Sequence, residues 1–424
     1  MGRVIPHTPS GPAAARHGWV RAVATALAAL IAMGVTAALG LWGAGAADLP
    51  DGAFPRVVAA TVVTAVGGRV ELSGDAGGLA GTRAGMTVIP LSVTLVGALV
   101  TAAGFLRPLR HRAVAGGPEL AGWAARIAVV WLAALLGLSL AARQTFTLSL
   151  GDDTLDDLGD LFGVRPQVGF TTDVPPTLLV GLVWLAGVLA LALLVARGAP
   201  LPPRLLRFQE SVRPAAYAMV VLLLVCVALG VLIGLGVAVT RGRAAETLAV
   251  VLLGLPNLVW LAFTIGLGAR WEGRVEGPFG LPMPHVLDEV LRGPDTATLS
   301  LGTLAEHDGR VWWLLVADAG MLLAAAFVMA VRSPAGTPAW RHAVRMAVAL
   351  VLTVLMICLV GRISARYGLS VLGVGDLGGL GLSGELFLRP VLWTSLGFAA
   401  LWGLATGFLG GLMAHGGAGH GRVP

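Results

Sequence analysis

Residues 245–268 read AETLAVVLLGLPNLVWLAFTIGLG. Whether this stretch crosses a membrane or turns back inside it decides the topology of the whole chain. It is long enough to cross, since a hydrocarbon core of ~30 Å takes about 20 apolar residues of helix. Its centre, however, is Leu255-Pro256-Asn257. Proline has no amide donor and its ring clashes with the preceding turn, so nearby carbonyls lose their partners. Inside hydrocarbon such groups survive only against protein or a water-filled cavity.

Working outward, eight other runs are long and apolar enough to cross: 22–43, 86–105, 123–142, 177–196, 214–239, 312–331, 343–362 and 390–412. Another, 53–66, carries Pro55 and Arg56 near its start and is too short. Hydrophobic residues make up 56% and charged residues 12% of the chain, whereas soluble domains are about a quarter charged. The lipid bilayer must therefore cover most of the surface, and the chain is expected to be an all-α integral membrane protein. Its basic pI, near 10.7, belongs to loops beside membrane spans and does not call for nucleic acid.

The arginines fix the parity. With the N-terminus cytoplasmic, as Arg3, Arg16 and Arg21 suggest, nine crossings would put Arg332, Arg341 and Arg345 outside, against the positive-inside rule. If 245–268 enters and leaves on one side, that cluster becomes cytoplasmic. So do Arg107, Arg110 and Arg112, and Arg197, Arg204, Arg207 and Arg213. Inner segments then hold 15 arginines against Glu119 and Glu210, while outer segments hold 14 against 20 acids. Arg241 and Arg243, in a short outer turn, do not fit the pattern. Trp19, Trp42, Trp123, Trp312, Trp313, Trp340 and Trp393 fall at span ends, the headgroup level that amphipathic rings favour.

The same order of segments occurs twice, in 1–200 and in 201–424. Segments 53–66 and 245–268 hold equivalent places, and GGRVELSGDAGG (67–78) echoes ARWEGRVEGPFG (269–280). The expected architecture is about eight transmembrane helices plus two short or re-entrant helical elements, arranged as two parallel repeats about an axis along the membrane normal. The alternative is nine or ten crossings. Both termini are expected in the cytoplasm of a cell bounded by this plasma membrane. The apolar run 22–43 ends in Ala44-Gly45-Ala46-Ala47, which resembles a signal cleavage site. Its length and its counterpart in the second half make it an uncleaved first span.

Chemistry-bearing residues are few. The chain has no lysine, which excludes a Walker A phosphate loop and Ser-Lys dyads. Cys226 and Cys358 lie in separate apolar runs and read as free thiols. No HExxH, GxSxG or Cys-His pairing points to catalysis, so no enzyme, cofactor or metal is expected. Gly381-Leu382-Ser383-Gly384 matches the rhomboid GxSG, but His415 would lie roughly 30 Å away across the membrane. The acidic stretch GDDTLDDLGD (151–160) lacks EF-hand spacing and reads as a solvated face. His415 and His420 alone are too little for a metal site. Gly230/Gly234 and Gly403/Gly407 have the spacing that lets helices approach closely.

Four residues stand out as ligand or ion-pathway candidates. Pro256 and Asn257 break a membrane segment; Asn257 either satisfies the freed carbonyls or holds a ligand, or it simply bonds a neighbouring helix. Asp318 lies well inside an apolar run, and intramembrane carboxylates tend to mark pathways or proton relays. The structural alternative pairs Asp318 with Arg362 near the outer end of the next span.

The stretches VLLGLPNLVWLAFTIGLGARWEG (251–273) and VGFTTDVPPTLLVGLVWLAG (168–187), with the lysine-free Ala/Gly-rich spans, resemble the streptophobe family of multi-pass membrane proteins from Streptomyces and relatives. The resemblance runs over the whole chain. That family has no assigned activity or site residues, so it implies location and fold and nothing about mechanism. The functional expectation is transport or permeation of a small solute or ion. Its rival is a scaffold that organises envelope partners through outer loops 143–175 and 269–310. Protein partners are unknown.

Overall fold

A backbone surrounded by lipid has to satisfy its polar groups internally, and the apolar runs accordingly fold as helices. The computed structural model describes residues 12–49, 52–75, 80–109, 117–147, 167–197, 203–275, 290–292, 296–334, 336–371 and 383–419. Six helices come first: α1 (Pro12–Gly43), α2 (Ala53–Ala65), α3 (Leu91–Leu106), α4 (Gly117–Ala141), α5 (Val174–Val195) and α6 (Pro203–Arg241). Five follow: α7 (Ala244–Gly266), α8 (Leu301–His307), α9 (Trp312–Val331), α10 (Ala339–Val360) and α11 (Leu392–Gly419). The acidic stretch 151–160, Gly381-Leu382 and His420 lie outside the described residues.

The connections contain eight strands: β1 (Val70–Asp75), β2 (Ala80–Thr87), β3 (Gln144–Thr147), β4 (Gln167–Thr172), β5 (Trp271–Val275), β6 (Ala297–Leu299), β7 (Ile363–Val371) and β8 (Ser383–Pro390). They join in one antiparallel sheet of order β3-β4-β1-β2-β7-β8-β5-β6. The order within β3-β4-β1-β2 recurs in β7-β8-β5-β6. In the first set Val70 opens β1 opposite Thr172; in the second Trp271 opens β5 opposite Pro390. The β2–β7 pairing, from Ala80↔Val371 to Thr87↔Ser364, joins the two sets.

Since all these strands share one sheet, the helix termini that feed them lie at one end of the bundle, the sheet end. These are the C-termini of α2, α4, α7 and α10 and the N-termini of α3, α5 and α11; α8 leads from β6 into α9. The other end carries the α3–α4, α5–α6 and α9–α10 connections. Helix α1 starts at that far end, where Gly18 meets Arg126 and Thr25 meets Gly104, and it ends with Gly43 against Ala245. Helix α6 also starts there, with Gln209 Nε2 donating to the Leu193 and Ala196 carbonyls of α5. Tyr217 of α6 lies under the Arg332 guanidinium, just past α9.

Nine helices among the described residues are long and apolar enough to cross a membrane, α7 included. Eight of them run between the two ends. Helix α7 differs: it starts beside the end of α1, where Gly43 meets Ala245, and leads into β5, so both of its termini adjoin elements of the sheet end. Helix α2 likewise starts and ends at the sheet end. The chain is thus an all-α polytopic membrane protein whose connections join in one sheet at one end of the helices.

Two apolar cores result. One lies within α1–α5, around Met33, Ile127, Trp131 and Leu135. The other lies among α6, α7, α9, α10 and α11, around Leu322, Met346 and Leu350, and takes in Trp271 of β5 and Leu91 of α3. Close approach relies on the small residues: Gly230 meets Val259 and Leu255 of α7, and Gly407 meets Met346 and the His342 carbonyl of α10. Cys226 and Cys358 are both buried and free. Six of the seven end-of-span tryptophans are exposed; Trp123 is not. Its indole donates to the Phe105 carbonyl at 3.2 Å, so it fastens α4 to α3 and does not serve the headgroup belt.

Candidate functional site

Helix α7 reaches into the bundle and stops there, which raises the question of where its terminal carbonyls find donors. Gly268, at φ +97°, closes the helix with a Schellman turn. The Ala269 N–H donates to the Thr264 carbonyl at 3.0 Å and the Gly268 N–H to Ile265 at 2.9 Å. The Trp402 indole of α11 donates to the Leu267 carbonyl at 3.1 Å. Trp271, 1% exposed, donates to the Thr264 hydroxyl at 3.1 Å. The Gly268 turn and Trp402 thus supply donors to the terminal carbonyls of Thr264, Ile265 and Leu267, and Trp271 fastens the last turn through the Thr264 side chain.

At mid-helix, Pro256 removes the donor for the Leu252 carbonyl one turn back, and the neighbouring Val251 carbonyl accepts from the Ser92 hydroxyl of α3 at 2.7 Å. Asn257 bridges to the same part of the chain. Its Nδ2 donates to the Ile89 carbonyl at 3.0 Å and its Oδ1 accepts from the Leu91 N–H at 3.2 Å. Leu91 is the first residue of α3, so its N–H has no partner within the helix. Pro256 and Asn257 thus dock α7 of the second half onto α3 of the first. Beside Asn257 is a cavity of about 80 Å³ bounded by Trp260, Trp271, Gly361, Ile363 and Leu388. A volume of that size holds a few waters, and Asn257 is the polar side chain on its wall.

The C-terminal end of α7 meets Asp318. This residue is 2% exposed, and its Oδ2 is buried with no hydrogen-bond partner. Gly266 lies directly against the carboxylate, and a Cβ there would occupy its place; the Leu314 backbone is the next neighbour. Across the junction, Cys226 Sγ of α6 is 3.9 Å from Met321 Sδ, less than one turn beyond Asp318. Gly266 was not legible as a site residue, because nothing distinguishes it among 60 glycines.

Arg362 does not join this group. It is exposed, immediately after α10, and forms no ion pair with Asp318 among the described residues. The pairing fails because α9 packs chiefly against α6, α7 and α11 and hardly touches α10, so the carboxylate faces Gly266. Of the four expected residues, α7 carries two, Asp318 adjoins its end about 14 Å of helix further on, and Arg362 stands apart. Ser383 is in the sheet and His415 near the far end of α11, facing His342 at 6.5 Å between ring centroids. A Ser-His dyad is therefore impossible. No group of three or more metal-ligating side chains occurs among the described residues. No protein-family model, curated protein or solved structure matches the chain.

Proposed function

We propose that this chain, built from two duplicated halves, passes a small solute or ion across the plasma membrane without chemical conversion, and that Asp318 lies on the path. One observation carries the reading: a carboxylate withdrawn from solvent, with an oxygen lacking a hydrogen bond, inside an apolar bundle. Burying a charge costs far more than the net gain of an ordinary contact, so such a group carries a proton or holds a cation. Either is a cargo. The returning helix α7 supports the same reading, because broken or re-entrant elements are the places where transporters expose backbone and side chains to a substrate. Both termini lie on the cytoplasmic side in this reading, as the arginines of the far end require. The streptophobe resemblance agrees with that location.

The test is flux. The full chain in proteoliposomes should dissipate an imposed proton or monovalent-cation gradient, and Asp318→Asn should abolish the flux while the protein still folds. Unchanged flux in Asp318→Asn removes the carboxylate from the path. The scaffold reading has its own support in the eight-stranded sheet, a broad platform outside the helices. It predicts that Asp318→Asn is silent and that disrupting the sheet abolishes the cellular phenotype.

A further inference from the structure

The far end of the bundle is rich in guanidinium groups and poor in carboxylates. A groove of about 370 Å³ opens there between α5, α6 and α10. Its walls are apolar and small: Ala215, Ala216 and Met219 of α6 face Ala349 of α10, with Leu191 of α5 closing one side. The outer lip is formed by Val348 and Leu352, both more than half exposed on what is a lipid-facing surface. Arg345 and Met356, at the two ends of the groove, are 11 positions apart on α10, a rise of about 16 Å at 1.5 Å per residue. That is about half of the ~30 Å hydrocarbon core, the depth of one leaflet.

The polar end of the groove is Arg345, beside Ser211. Arg345 Nη1 is buried and has no hydrogen-bond partner. A guanidinium cannot shed its proton, so a buried N–H of this kind wants an anionic acceptor. Neither Arg345 nor Arg213 has a carboxylate partner among the described residues. Guanidinium groups gather around them, with the exposed Glu210 on the adjoining turn of α6. Arg213 lies within electrostatic range of Arg197 and Arg332, and Arg345 within range of His342. Arg332 is held over the Tyr217 ring at 3.8 Å, which fixes its charge near the groove.

We propose that this groove binds one anionic phospholipid. Its phosphate accepts from Arg345 in the field of Arg213 and Arg332, and an acyl chain lies along Ala215, Ala216, Met219 and Ala349. Basic pockets between membrane helices on the positive side take anionic headgroups for this reason. The lipid would seal the seam between α5 of the first half and α6 and α10 of the second at the end of the bundle opposite the sheet. The site is independent of any flux through Asp318.

Native mass spectrometry of the full chain tests the proposal, using protein stripped in neutral detergent and offered phosphatidylglycerol or phosphatidylcholine. Phosphatidylglycerol should be retained at least five-fold over phosphatidylcholine, and Arg345→Gln should remove that preference. Arg341→Gln should leave it intact, because Arg341 packs over Trp340 outside the groove. Ala216→Phe fills the groove without touching a charge and should also release the lipid. Equal retention of the two lipids overturns the proposal, as does a preference that survives Arg345→Gln. Displacement by inorganic phosphate, with Ala216→Phe without effect, would mean a free-anion site and would overturn it too.

Discussion

Helices α2 and α7 both follow a long helix and lead into a strand of the sheet, β1 and β5, yet they do different work. Helix α2 is 13 residues long and packs on α1, α3 and α4, all of its own half. Helix α7 is 23 residues long and packs on α6 and α9 of its own half and on α1 and α3 of the other. The additional length carries Pro256 and Asn257 to the α3 terminus and Gly266 to Asp318. A short returning helix fills a local core. A long one becomes the element that both halves and the buried acid share.

Breaking the α7–α9 junction should have the largest effect. Gly266→Val pushes two methyl groups and a Cβ into the Asp318 carboxylate, and overpacking of this kind costs ~3 kcal/mol. Asp318→Ala should restore most of the loss in a double-mutant cycle of thermal unfolding. Additive losses would show that the two residues do not share one space. Next, Asn257→Leu leaves the Ile89 carbonyl and the Leu91 N–H unpaired and should cost about 2 kcal/mol. The corresponding cut at α2 is Thr94→Val, which removes the 2.6 Å bond from the Thr94 hydroxyl to the Ala65 carbonyl and should cost about 1 kcal/mol. Equal losses would erase the distinction between a bond across the halves and a bond within one.

Topology sharpens the comparison with no change in stability. In a background lacking Cys226 and Cys358, single cysteines at Glu246, at the start of α7, and at Asp308, after β6, should react with an impermeant thiol reagent from the same side. A cysteine at Arg341 should react from the opposite side. Labelling of Glu246 and Asp308 from opposite sides would make α7 a ninth crossing.

The helical, membrane-embedded character of α7 was legible from its length and apolar run, and Arg332, Arg341 and Arg345 made a returning path the parity that keeps positive charge on one side. The sheet was not. Its strands are short, the pairing that joins the two sets brings together residues 283 positions apart, as in Ala84↔Tyr367, and glycine-rich stretches such as AGTRAGMT (80–87) carry little alternation. The echo between 67–78 and 269–280 did mark real elements, since the two stretches contain β1 and β5. Asp318 was legible as an isolated acid, but its neighbour was not: charge complementarity suggested Arg362, whereas packing placed a glycine there. Trp123 misled for a similar reason. Its position at a span end suited the headgroup level, and only the three-dimensional contact with Phe105 reveals an interior hydrogen bond.

The backbone ladder between β2 and β7 also has a mechanical meaning. It ties the halves together by hydrogen bonds outside the lipid, and separating them at that end would tear the ladder register by register. At the opposite end the halves are held by the chain itself, between α5 and α6, and by Gln209 bonded to the Leu193 and Ala196 carbonyls. Fastened at both ends, one half could move against the other only by twisting about the line between the two fastenings, as a door turns on its hinges.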